Sequence, residues 1–167
     1  MRIIGIDPGT RHLGWGIVRA EGTRLICEGN GVVNPSISAS LAERLVQIDE
    51  ALGQVIDTYK PDEAAVETIF FAKDAQSASK LGHARGVVLL ALARGGMPVH
   101  EYEPARVKRA VSGRGRADKM QVAMMVKAIL GLTLLPATDA SDALAVAITH
   151  AYFARLDSVI RSIGVGR

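Results

Sequence analysis

Four carboxylates at the ends of apolar segments, Asp7, Glu67, Asp139 and Asp142, have the types and positions to do chemistry in this chain. Asp7 closes the run Arg2-Ile3-Ile4-Gly5-Ile6 and is followed by the turn signal Pro8-Gly9-Thr10. Glu67 closes Glu63-Ala64-Ala65-Val66, and Asp139 and Asp142 stand three apart where an apolar helix starts after Pro136. A charge beside a core is costly unless something compensates it, and like charges brought together raise one another's pKa. A divalent cation relieves both penalties, and carboxylate oxygens are the hard ligands that Mg²⁺ or Mn²⁺ accept. The acids therefore point to a metal site for phosphate chemistry. Ordinary roles compete, since Asp139 and Asp142 could cap a helix N-terminus and Asp7 could form an Asx turn. Recurrence of acids at element ends in one small chain weighs against those roles.

Charge distribution adds a second feature. The net charge of +3 says little about partners. Between Pro104 and Gln121, however, lie Arg106, Lys108, Arg109, Arg114, Arg116 and Lys119, opposed only by Asp118. Such a cluster can neutralise several phosphates, although composition alone equally allows a solvated helix face. His12, His83, His100 and His150 show no ligand spacing and read as structural or surface residues. The single cysteine, Cys27, reads as a small core residue in a reducing cytoplasm. No basic-then-apolar leader opens the chain, and no apolar run approaches the ~20 residues of a membrane span, so a cytoplasmic protein with no membrane partner is expected.

The elements that must position these side chains follow from periodicity. A length of 167 residues suits one domain over 1–167, its last few residues a flexible tail. The 49% hydrophobic content excludes a disordered chain. Ile3 to Ile6 reads as a buried strand with Leu13 to Val18 as its hairpin partner, and a third strand runs from Arg24 to Val33. Ser40 with Glu43 forms a capping box before a helix carrying Leu41, Leu45, Ile48, Leu52, Ile56 and Tyr59, which Pro61 ends. Glu63 to Ile69 is a fourth strand, Ala75 to Arg94 a long helix stopped by Gly95-Gly96, and Met97 to Tyr102 a fifth strand. Asp118 and Gln121 start another helix, and a last one runs from Thr138 or Asp139 towards Arg161. The order βββαβαβ followed by helices predicts a mixed sheet flanked by helices in an α/β fold. Alternation puts Asp7 on the strand face of Ile3 and Gly5.

The motifs resemble those of the RuvC family of Holliday-junction resolvases. Ile4-Gly5-Ile6-Asp7-Pro8-Gly9-Thr10 with Gly14 is similar to that family's first strand, and Val66-Glu67-Thr68-Ile69-Phe70-Phe71-Ala72-Lys73 to its second acidic strand and following loop. Leu81-Gly82-His83-Ala84-Arg85-Gly86-Val87 resembles its long helix. Tyr102, Pro104, Val107-Lys108 and Gly113 through Lys119 resemble its basic region. Asp139-Ala140-Ser141-Asp142-Ala143-Leu144-Ala145-Val146-Ala147 resembles its final acidic helix. The blocks occur in order over nearly the whole chain. The opening alone would also suit actin-like, sugar-kinase and Hsp70 ATPase folds, which need two such domains, and the shorter YqgF nucleases. The Phe70-Phe71 segment, the long helix and the Lys119 region favour a resolvase. A non-catalytic nucleic-acid-binding module would have no need of four acids facing a polyanion.

The resemblance implies a ribonuclease-H-like mixed five-stranded sheet flanked by helices. It implies a homodimeric endonuclease that resolves four-way junction DNA in recombination and repair by paired symmetric nicks, leaving 5′-phosphate and 3′-hydroxyl ends. Asp7, Glu67, Asp139 and Asp142 would hold two Mg²⁺ ions ~3.5–4 Å apart, with Mn²⁺ as a substitute. Lys119 would hold the scissile phosphate or stabilise developing charge, and Lys108, Arg109, Arg114 and Arg116 would bind DNA, with Lys108, Arg114 and Arg116 tracking the backbone. An aromatic at the position of Phe70 would stack on unpaired bases, with Phe71 in the core. The dimer would form on Leu81, Gly82, Gly86 and Leu89, with Val88 and Leu92 also flanking the glycine strip. The branch-migration proteins RuvA and RuvB are the implied partners.

Overall fold

The computed structural model describes residues 1–68, 75–162 and 164. Five strands, β1 (Arg2–Asp7), β2 (Leu13–Glu21), β3 (Arg24–Val33), β4 (Glu63–Glu67) and β5 (Val99–Tyr102), form one sheet in the order β3-β2-β1-β4-β5. β1 pairs antiparallel with β2 and parallel with β4, which pairs parallel with β5. Consequently β1 and β4 end on the same edge of the sheet, and so do their terminal acids Asp7 and Glu67. The fourth strand ends at Glu67 and does not include Thr68, while Ile69, which the sequence pattern also assigned to it, lies outside the described residues.

Helices cover both faces. α1 (Leu41–Tyr59) starts at the expected Ser40–Glu43 capping box and ends at Lys60 in the left-handed region, φ 47°. α2 (Ala75–Arg94) has the predicted boundaries. Together they bury Ile48, Leu52, Ala84, Val88 and Leu92 against Ile4, Ile6, Ile17 and Val66. Each large aliphatic side chain removed from water contributes about 1.5–3 kcal/mol, so this face holds α2 firmly. Val88 and Leu92 therefore do not flank an exposed glycine strip, as the sequence suggested: they are core residues.

On the other face lie α3 (Pro104–Ser112), α4 (Lys119–Leu130) and α5 (Thr138–Ser162). α3 was not predicted as a helix of its own; Pro104 occupies its first turn and Gly113 its left-handed C-cap. α4 carries the expected Asp118–Gln121 capping box. α5 is sandwiched, with the sheet on one side and α3 and α4 on the other, and every residue from Ala143 to His150 is buried. That explains why Thr138–Ile160 is long and apolar enough, by length and composition, to cross a membrane. Its apolar surface is used against the sheet and its neighbouring helices, forming a core with Ile3, Val18, Ala65, Val107 and Val126.

α5 comes unusually close to the strands, and glycines permit it. Gly5 and Gly16 are register partners in adjacent strands, and Gly14 pairs with Asp7. A Cβ added at Gly5 would collide with the carbonyl of Ala143, at Gly14 with the carbonyl of Asp139, and at Gly16 with the side chain of Leu144. The first turns of α5 thus rest on bare strand backbone.

Candidate active site

This glycine groove assembles the acids. Asp7 stands opposite Gly14, over which the start of α5 passes, and Glu67 ends the strand beside β1. One turn into α5, Asp142 completes the group. Asp7, Glu67 and Asp142 line a cleft of about 140 Å³ with Lys108 from α3, Lys119 from α4 and Pro104. Asp139 precedes Asp142 by one turn and is half-buried; it does not line this cleft, but its charge acts on both Asp7 and Lys119.

The carboxyls disfavour one another. Burial, then the charges of Glu67 and Asp142, push Asp7 up to about 8. Burial and Asp142 push Glu67 up to about 7, against the opposing pull of Lys119, a hydrogen bond with Asp7, and Lys108. A group of buried acids that retains protons near neutrality is poised to exchange them for a cation. The donors are carboxylate oxygens, so the cleft suits a hard divalent ion, with Asp7, Glu67 and Asp142 as holders and Asp139 adjacent.

The basic cluster divides once it is folded. Lys119 is the first residue of α4, and its Nζ donates to Asp142 Oδ2 at 2.8 Å, which raises the lysine pKa. Lys108, grouped from sequence with the backbone-tracking residues, is half-buried and lines the acid cleft. Its position four before Ser112, whose hydroxyl donates to the Lys108 carbonyl, belongs to a helix too polar to be read by periodicity. Arg106 leaves the cluster entirely and lies over the Phe153 ring, 3.9 Å from its centroid. Arg109, Arg114 and Arg116 remain exposed on α3 and the turn before α4. Phe70 and Phe71 lie outside the described residues.

On α2, Gly82 and Gly86 are exposed, and a Cβ at either would meet nothing within 4 Å. They face away from the protein's own sheet. Leu81 and Leu89 are half-buried, with Leu89 packed on the core, while the unpredicted Leu90 is 48% exposed.

A second polar group was missed in the sequence. His100 of β5 and His150 of α5, read there as having no ligand relation, converge with Glu63 at the start of β4. Their ligand atoms all lie within 4.8 Å of one another, so this acid–histidine group could hold a metal ion. His150 is 2% exposed, and burial lowers its pKa. Fifty positions separate the two histidines in the chain; only strand pairing and the docking of α5 bring them together, so no local signal existed.

Comparison with known proteins places this geometry among relatives. A family model described as crossover junction endodeoxyribonuclease RuvC matches residues 3–150. The chain is 59% identical over 150 residues to the crossover junction endodeoxyribonuclease RuvC of Sorangium cellulosum, covering 90% of this chain and 84% of that one. It is 50% identical to the Maricaulis maris protein of the same description, covering 95% of each. Among solved structures, Thermus thermophilus RuvC in complex with a Holliday junction substrate superposes with a TM-score of 0.88 at 40% identity, covering 94% of this chain and 96% of that one.

Proposed function

The chain belongs to the RuvC family of crossover junction endodeoxyribonucleases, and we propose that it resolves four-way junction DNA with the acid cleft as its active site. The observation that carries this assignment is the convergence of Asp7, Glu67 and Asp142 beside Lys108 and Lys119. Hydrolysis of a phosphodiester needs charge stabilisation on both sides of the phosphorus and a water to attack it. Bound Mg²⁺ ions would activate that water and stabilise the leaving 3′ oxygen. Asp7, Glu67, Asp142 and the neighbouring Asp139 would hold two of them, with Mn²⁺ as a substitute.

The protein's own cations have distinct tasks. Lys119 is within reach of both Asp142 and an incoming phosphate, its side chain 67% exposed. It would neutralise the scissile phosphate as negative charge develops there. Lys108, deeper in the cleft, offsets the acids and would contact the same phosphate. Arg109, Arg114 and Arg116 would track the flanking backbone, where contacts fix register rather than read sequence. Phe70 would stack on a base unpaired at the junction centre.

Paired cuts require two sites related by one axis, which an isologous dimer supplies. The exposed Gly82 and Gly86 offer a close-approach strip on α2, bordered by Leu81 and Leu89, for that contact. Sedimentation at micromolar concentration should give a dimer. Branch-migration proteins of the RuvA and RuvB kind would deliver the junction in the cytoplasm. The reading is tested by incubating end-labelled junction and linear duplex with the protein, with and without Mg²⁺. Paired, symmetric nicks bearing 5′-phosphates should appear on the junction and only with metal. Equal cutting of linear duplex, or cutting in EDTA, would overturn it.

A further inference from the structure

At the opposite end of β4 from the acid cleft, the geometry points to a second metal site: Glu63, His100 and His150 are placed to bind one borderline divalent ion of the zinc class. Two imidazoles and one carboxylate are the donor set Zn²⁺ takes in sites that keep a fourth position open, and they differ in softness from the all-carboxylate cleft. His150 Nε2 and His100 Nε2 lie 2.8 and 3.1 Å from the same oxygen, Glu63 Oε2. A tetrahedral ion with bonds of ~2.0–2.2 Å needs ligand atoms about 3.3–3.5 Å apart. Lengthening these separations by about 0.2–0.7 Å would therefore open the triangle around an ion.

Two further observations support the site. The other nitrogen of buried His150, Nδ1, lies 2.7 Å from the Tyr102 hydroxyl. A hydroxyl both donates and accepts, so it can accept a hydrogen bond from Nδ1–H and leave the Nε2 lone pair free for a metal, the outer contact that orients ligating histidines. The His100 and His150 rings stack at 4.3 Å between centroids, so each side chain restrains the other. The triad also lines a cavity of about 880 Å³, which gives an ion an entry path and room for a water as fourth ligand. Bound there, the ion would tie β4 and β5 to the middle of α5, about two turns past Asp142.

The alternative is a plain hydrogen-bonded triad in which both imidazoles donate to Glu63. Equilibrium dialysis of the metal-stripped full chain against Zn²⁺ in excess Mg²⁺, with metal analysis, separates the two. We expect one Zn²⁺ retained per chain, and Co²⁺ in its place should give the visible absorption of tetrahedral coordination. His100→Asn, at a half-exposed position, and Glu63→Gln should each weaken retention at least tenfold, and Tyr102→Phe about tenfold. Asp142→Asn should retain the ion in full. The proposal fails if the native protein retains no Zn²⁺, if His100→Asn binds as well as the native protein, or if Asp142→Asn alone abolishes binding. Junction cleavage plays no part in this readout, so the outcome is independent of the nuclease assignment.

Discussion

β4 carries a carboxylate-centred group at each end, and α5 passes over both. At one end Glu67 meets Asp7 and Asp142; about 13 Å back along the same strand face, by the ordinary rise per residue, Glu63 meets His100 and His150. The two ends use the same strand and the same helix, yet their polar groups differ in how far they satisfy one another. Glu63 Oε2 lies within hydrogen-bond distance of two imidazole nitrogens, and His150 has a second partner in Tyr102. The Asp7 end has acids facing acids, with Lys119 and Lys108 as their counterweights. An arrangement that protein groups satisfy poorly persists where a ligand from outside completes it, and this is the end that faces the basic residues of α3 and α4. Local instability marks the end proposed to cut DNA.

The largest expected effect is on cleavage. Asp7→Asn keeps the shape but removes a charge that a cation needs, and should reduce junction cutting on the order of 10³-fold or more while binding stays equal or tightens. Near-normal cutting by this variant would remove the distinction between the two ends. Lys119→Ala should lower the cleavage rate by about 10²-fold and change affinity much less. Equal losses in both would make Lys119 a positioning contact.

Stability should respond with opposite signs at the two ends. Above pH 8 and without metal, Asp7→Asn relieves a buried repulsion and should raise the unfolding midpoint. Glu63→Leu leaves the buried His150 Nε2 without its carboxylate partner and should lower stability by about 1–3 kcal/mol. Changes of the same sign would break the comparison. The pH profile sharpens it. Asp7 and Glu67 hold protons in the fold up to about 8 and 7, well above their ordinary 3.8 and 4.5. The folded state therefore binds more protons than the unfolded one between those limits. Their contribution is fully present below about pH 4 and is lost as pH rises through 7 and 8. Thermal midpoints of the metal-free protein from pH 5 to 9 should fall accordingly, and saturating Mg²⁺ should flatten the decline. A flat profile without metal would contradict the repulsion. The smallest effect concerns salt: replacing Arg114 and Arg116 together should reduce the slope of log K against log salt by about 2, and an unchanged slope would return them to solvated surface.

Local signals account for what could be read in advance. The capping boxes at Ser40 and Asp118, the glycine stop after Arg94 and the alternation in β1 each act within a few residues, and the structure keeps all of them. The failures are of other kinds. α3 buries only Val107 and Val111, so its nine residues carry too little apolar period to stand out from a basic loop. The burial of Val88 and Leu92 depends on which side of α2 meets α1 and the sheet. The placement of Lys108 in the acid cleft, and the meeting of His100 with His150, depend on how distant elements dock, which no short window of sequence contains.

The glycine groove under α5 also sets when this protein can be dangerous. Asp7 is synthesised more than a hundred residues before Asp142, a lag on the order of ten seconds at ~5–20 residues per second. Throughout that interval β1 can pair with β2, but the surface of Gly5, Gly14 and Gly16 has no helix to receive. A nascent chain, or a fragment cut between α4 and α5, carries Asp7 and Glu67 without the acid that completes them. With the acid cleft as the proposed active site, cutting activity arrives with the last helix, and an incomplete copy of a DNA-cutting enzyme is a harmless one.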